Sequence, residues 1–158
     1  MRGIRRMPRV LRTGRRPIIA ASPTASSPLM QAHLRIARPV SHLAATERMY
    51  CDAFGLAVLA RFQDHDGFDG VILGREGMDY HFEFTHCRTH PVAPAPTPED
   101  LIVFYLPDSE TWKAACARAT AHGFVRVKAF NPYWEVSGQT FDDLDGYRIV
   151  LQNAAWPR

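Results

Sequence analysis

The chain has 158 residues, 46% hydrophobic and 22% charged, with a formal net charge of +3. This composition excludes a disordered protein, and the length fits one domain or two small fused modules. No apolar run reaches the roughly 20 residues that a membrane-spanning helix needs. Cys51, Cys87 and Cys116 are too scattered for a disulfide framework or a CxxC zinc site, which points to a reducing, cytoplasmic compartment.

The charge is unevenly placed. Residues 1–30 hold seven arginines and no acid, which leaves residues 31–158 at a net −4. A nucleic-acid reading of the basic balance would rest on this segment alone, so neither nucleic acid nor a membrane is expected as a partner. Pro8, Pro17, Pro23 and Pro28 interrupt it, and it lacks apolar periodicity. It reads as a disordered tail or an over-extended gene start, with Met30 as the alternative start; a targeting segment and a nucleic-acid arm are the competing readings.

Residues 31–158 read as one domain built from two copies of strand–helix–strand–strand–strand, spanning 33–85 and 101–152. The first strand, His33 to Arg38, alternates Leu34 and Ile36 with His33, Arg35 and Ala37. A helix follows Ser41 as N-cap, carries Leu43, Thr46, Tyr50, Ala53 and Phe54 at helical spacing, and stops at Gly55. Strands are expected at Leu56–Phe62, Gly70–Leu73 and Tyr80–Thr85, with turns at Asp66-Gly67 and Glu76-Gly77. Pro91 to Pro98, with four prolines, is an extended linker.

The pattern then restarts. Leu101–Leu106 is a strand, and Asp108 or Ser109 caps a helix with Trp112, Ala115, Cys116 and Ala119 on one stripe before Gly123. Strands follow near Val125–Lys128, Val136–Phe141 and Tyr147–Gln152. Arg35 to Leu101 is 66 positions, Gly55 to Gly123 is 68 and Tyr80 to Tyr147 is 67. One period recurring in three elements argues for duplication. The expected class is α+β: two βαβββ modules forming an open, cup-like eight-stranded mixed sheet with the helices outside.

Alternation assigns the faces. If the helix covers Leu34, Ile36, Tyr80, Phe82 and Phe84, then His33, Arg35, His81, Glu83 and Thr85 face the concavity. The matching positions of the second module are Leu101, Val103 and Tyr105 on its first strand and Arg148, Val150 and Gln152 on its last. One half of the cup is polar and the other more apolar, a lining suited to an amphiphilic organic ligand. Filling of the concave face by its own side chains, in a structural module without ligand, is the plain alternative.

Several stretches carry a resemblance: Val40-Ser41-His42-Leu43 leading through Tyr50 to Phe54-Gly55-Leu56, the strand Tyr80-His81-Phe82-Glu83-Phe84, and Thr140-Phe141-Asp142-Asp143-Leu144-Asp145-Gly146-Tyr147. Over residues 33–152 the chain resembles the vicinal oxygen chelate superfamily of glyoxalase I, bleomycin-resistance proteins and extradiol dioxygenases. The last stretch looks like the family's F-x-D-P-D-G ending with Leu144 in place of proline. Asn131-Pro132-Tyr133-Trp134 looks like a signature of a bacterial branch of the superfamily.

The resemblance implies metal ligands on the first and last strand of each module, positions held here by Arg35, Glu83, Leu101 and Val150. Only Glu83 among them can bind a divalent ion. The expectation is therefore a small organic, anionic ligand bound without metal or other cofactor. Glu83 is the candidate catalytic acceptor or base, and His33, Arg35, His81, Tyr105, Tyr133, Trp134 and Arg148 are the candidate ligand-binding residues. A buried structural Arg35–Glu83 pair is the competing reading. A shift of two residues in the alignment would instead put His33 with His81 and Glu83 in a metal site, as in a metal-dependent lyase, isomerase or dioxygenase of the superfamily. Tyr133 and Trp134 either pack on the fold or wall the cup. His65, His86 and His90 read as surface residues, and Cys51 and Cys116 as small apolar residues of helices. Open sheet edges, and the habit of the family, imply a homodimer.

Overall fold

The structure, a computed structural model, describes residues 32–156; the arginine-rich segment lies outside the described residues. The first module runs β1 (Leu34–Pro39), α1 (Leu43–Phe54), β2 (Ala57–His65), β3 (Phe68–Gly74) and β4 (Tyr80–Cys87). The second runs β5 (Leu101–Tyr105), α2 (Ser109–Ala121), β6 (Val125–Val127), β7 (Gly138–Asp142) and β8 (Arg148–Gln152), with a 3-10 turn at Pro132–Glu135 between β6 and β7. Residues 88–100 hold no helix or strand, as the prolines require.

The eight strands stand as two mixed sheets of four, ordered β1-β4-β3-β2 and β5-β8-β7-β6. In each, the outer pair (β1 with β4, β5 with β8) is parallel and the rest antiparallel. Strand pairing does not join the two sheets, so β1 and β5 are both edge strands.

Local chemistry sets the boundaries. The turn between β2 and β3 places Asp66 at φ 51° and Gly67 at φ 83°, the paired positive values of a primed hairpin turn, and both strands extend further toward it than alternation indicated. The N-cap of α1 is His42, whose Nδ1 accepts from the Ala45 N–H at 3.3 Å, and not Ser41. Ser41 is taken by the other module: its N–H donates to Asp145 Oδ2 at 3.1 Å and its hydroxyl donates to Asp145 Oδ1. Asp108 caps α2, accepting from the Thr111 N–H at 2.8 Å. Asn131 accepts from the Tyr133 N–H and starts the 3-10 turn, which delays β7 to Gly138.

Helix α1 lies over β3 and β4, so Val71, Leu73, Phe82 and Phe84 are buried beneath it. Leu34 points to the helix side but is 58% exposed, because β1 is the edge strand beyond the helix. In the second module Phe141, Ile149 and Leu151 form the helix-side layer. A single apolar core runs through both layers. Its centre is Tyr50, fully buried, with Phe84 at 4.7 Å and Phe124 of the second module at 5.2 Å between ring centroids. Phe54 extends the bridge to Phe104 at 5.6 Å.

The Tyr50 hydroxyl donates to Asp143 Oδ2 at 2.7 Å, and Asp143 Oδ1 accepts from the N–H groups of Asp145 and Tyr147 at 2.9 Å each. This explains the aspartate-rich ending: one buried carboxylate organises the β7–β8 turn and ties it to α1. Burial raises the Asp143 pKa above the ordinary carboxylate range despite these donors. The folded protein thus keeps that proton at a pH where the unfolded chain has lost it. The group's contribution to stability falls as pH rises from the ordinary carboxylate value through the raised one. Urea denaturation across the acidic range should show that slope diminished in Asp143→Asn. Tyr50→Phe should lose about 1–3 kcal/mol, by stripping a buried carboxylate of a donor.

Candidate functional site

The parallel register of β1 and β4 sets Arg35 opposite His81 and Ala37 opposite Glu83. Because Phe82 and Phe84 face α1, the intervening His81 and Glu83 emerge on the other face of the sheet, together with His33 and Arg35. There the four side chains form a continuous polar chain. Arg35 Nη1 lies 2.5 Å from Glu83 Oε2, Arg35 Nε donates to His81 Nε2 at 2.7 Å, and His81 Nδ1 lies 2.6 Å from His33 Nε2. Glu83 is the sheltered end at 14% side-chain exposure, while Arg35 is half exposed. Oε2 is met by the guanidinium as an ion pair, without a hydrogen bond of good alignment.

The guanidinium can only donate, so it fixes the tautomer of its neighbour. His81 Nε2 is the acceptor, its Nδ1 carries the hydrogen, and that hydrogen is donated to His33 Nε2. Burial, then the positive charge of Arg35 and then His33, hold the His81 pKa below that of free imidazole, while Glu83 pulls in the opposite direction. His81 is therefore neutral at neutral pH and gains a proton only in more acidic solution.

This arrangement does not fit a divalent metal. The two imidazole nitrogens spend their lone pair and hydrogen on each other, and the carboxylate is engaged by a fixed cation. Among the described residues, no group of three or more His, Cys, Asp or Glu side chains is gathered as a metal site. The second-module positions Leu101 and Val150 offer no donor atoms.

The corresponding face of the second module is aromatic. Tyr105 on β5 packs edge-on to Trp156 at 5.2 Å, and Tyr133 packs edge-on to Trp134 at 4.9 Å. Burial, and secondarily the neighbouring Tyr133, raise the pKa of Tyr105. Tyr133 and Trp156 are 52% and 67% exposed. The 3-10 turn approaches β7 closely: a Cβ on Gly138 would lie 2.7 Å from the Trp134 carbonyl oxygen and would also meet Gln152 Oε1. Beneath, Thr140 Oγ1 and Gln152 Oε1 are buried without a hydrogen-bond partner. Arg148 is already tied down, donating to Asp142 at 3.1 Å and to the Pro98 carbonyl at 3.1 Å. Among the described residues, no hydrogen bond, ion pair or aromatic contact joins these residues to the His33–Glu83 chain of the first module. Trp156, two residues from the end of the sequence, has no periodic context that would mark it as part of this face.

Two family models match this pattern, the YycE-like N-terminal domain over residues 34–85 and the YycE-like C-terminal domain over 99–153. The Bacillus subtilis protein YycE is 38% identical over 128 residues, covering 81% of this chain and 92% of its own length. The chain belongs to the YycE-like family. The crystal structure of the Bacillus subtilis protein superposes with a TM-score of 0.74 over 80% of this chain and 93% of that one. The fold is shared more widely. Glyoxalase I of Leishmania major (TM-score 0.61, 19% identity, 79% of this chain and 88% of that one) and the fosfomycin resistance protein FosX of Mesorhizobium loti (0.62, 12%, 80% and 94%) have it. These likenesses show a shared fold, that of glyoxalase I and of this fosfomycin resistance protein.

Site-resolved NMR titration should find the His81 pKa below that of free imidazole. Glu83→Gln, which removes the one opposing charge, should lower it further, and Arg35→Ala should raise it.

Proposed function

We propose that this YycE-like protein binds a small organic anion on the concave faces of its sheets, without a metal. Arg35 holds the anionic group, Glu83 accepts a hydrogen bond or a proton from the ligand, and Tyr105, Tyr133 and Trp134 contact its apolar part. The observation that carries this reading is the Arg35–Glu83 pair at a corner where the superfamily places metal ligands: a half-exposed guanidinium supplies the positive charge that a metal would bring. His81 and His33 hold that guanidinium in line from the other side. Arg148, only 16% exposed and bonded to Asp142 and the Pro98 carbonyl, offers a ligand less guanidinium surface than Arg35 and lines the opposite wall.

The reading includes a homodimer in the cytoplasm. Within one chain the polar and aromatic faces are not in contact, and β1 and β5 each leave an unpaired edge. A second copy related by a two-fold axis would set β1 of one protomer beside β5 of the other and bring the two faces into one cup.

The test has two arms. Protein purified without chelators should carry no stoichiometric Zn, Ni, Mn or Fe. In a thermal-shift screen of organic carboxylates, phosphates and phosphonates, anionic compounds should stabilise the wild type and fail to stabilise Arg35→Ala. Stoichiometric metal that is lost in Glu83→Gln would overturn the reading in favour of a metal-dependent lyase, isomerase or dioxygenase. Sedimentation should give twice the 17.8 kDa chain mass; a monomer would remove the shared cup.

A further inference from the structure

The seam between the two modules closes differently at its two ends. At one end Tyr50, Phe124 and Asp143 fill it with rings and hydrogen bonds. At the other, where α1 and β5 end and β4 begins, packing stops short and leaves a cavity of about 390 Å³, within the size range of small-molecule sites. This cavity lies on the helix side of both sheets, bounded by α1, α2, β4, β5 and β8, and is separate from the concave faces. Its walls are mainly apolar: Phe54, Met78, Tyr80, Phe104, Leu106 and Leu151.

Two cations stand among them, Arg75 after β3 and Arg118 on α2. Both are exposed, and among the described residues neither has a carboxylate within ion-pair distance. Arg118 spends only its Nε, on the Ala53 carbonyl at 3.2 Å, which anchors the side chain across the seam and leaves both terminal NH2 groups to spare. Burial raises the Tyr80 pKa, and the nearby charge of Arg75 partly opposes that rise. A solvated arginine needs no partner, but two unpaired arginines on an apolar cavity that joins two modules form an arrangement with a chemical complement: a hydrocarbon tail with one anionic head.

We propose that this seam cavity binds a medium-chain amphiphilic carboxylate, its tail against Phe104, Leu106 and Met78 and its head between Arg75 and Arg118. Because the tail touches both modules, occupancy would stiffen the seam at its open end. The site is independent of the concave-face reading and survives or fails without it.

Isothermal titration of full-length Arg35→Ala, in which the concave-face anion site is disabled, with decanoate tests this, with butyrate as a head without a tail and decyltrimethylammonium as a tail with the wrong charge. Decanoate should bind saturably at one per chain, and the other two should not. Arg75→Gln and Arg118→Gln, both at exposed positions, should each weaken decanoate binding in that background about tenfold or more. Absence of saturable decanoate binding, equal binding of butyrate or of the cation, or unaltered affinity in either glutamine variant would each overturn the proposal.

Discussion

The hydrogen bond from Tyr50 to Asp143 is the constraint on which the molecule turns. A phenol from the first helix crosses the core and ends on a carboxylate that three donors hold in place, two of them backbone groups of the last turn. That carboxylate is 7% exposed, so each donor it keeps offsets a desolvation cost that would otherwise weigh against folding. The same contact sets the relative position of two sheets that share no strand pairing. With Ser41 fastened to Asp145 and Arg38 stacked 4.4 Å over the ring of Tyr147, the β7–β8 turn becomes a hinge pin for both modules.

Once the helix layers face a common core, the opposite layers are committed to something else. Alternation puts His81 and Glu83 where Phe82 and Phe84 are not, and the neighbouring strand adds His33 and Arg35 in register. The guanidinium does three things there. It neutralises the carboxylate, orients one imidazole through that ring's only acceptor nitrogen, and leaves half of its own surface to solvent. A divalent ion would have to displace it to reach the same oxygens. The first module carries charge on this face and the second carries aromatic rings, and β1 and β5 each keep a free edge.

Much of this was legible in the residues. The duplicated βαβββ order, the linker, the hairpin turn and the faces of β4 all follow from alternation, from Gly and Pro, and from Phe82 and Phe84 having to be buried. So did the membership of Arg35, Glu83, His33 and His81 in one polar face. Their linear connection did not, because alternation assigns a face but not which nitrogen meets which oxygen. The cap of α1 was misplaced for a related reason. Ser41 is a better local cap than His42, but a carboxylate 104 residues away competes for it and wins.

What the sequence determined by itself is therefore mainly of short range: the order of strands and helices, which side of each is apolar, and which residue types can or cannot hold a metal. The tertiary structure alone decided how the two halves meet. It showed that they share a core through Tyr50, Phe54, Phe104 and Phe124 without sharing a sheet, that Trp156 joins Tyr105, and that one end of the seam stays open beside two arginines. Those outcomes depend on volumes and directions of side chains far apart in the chain, and local periodicity carries no information about either.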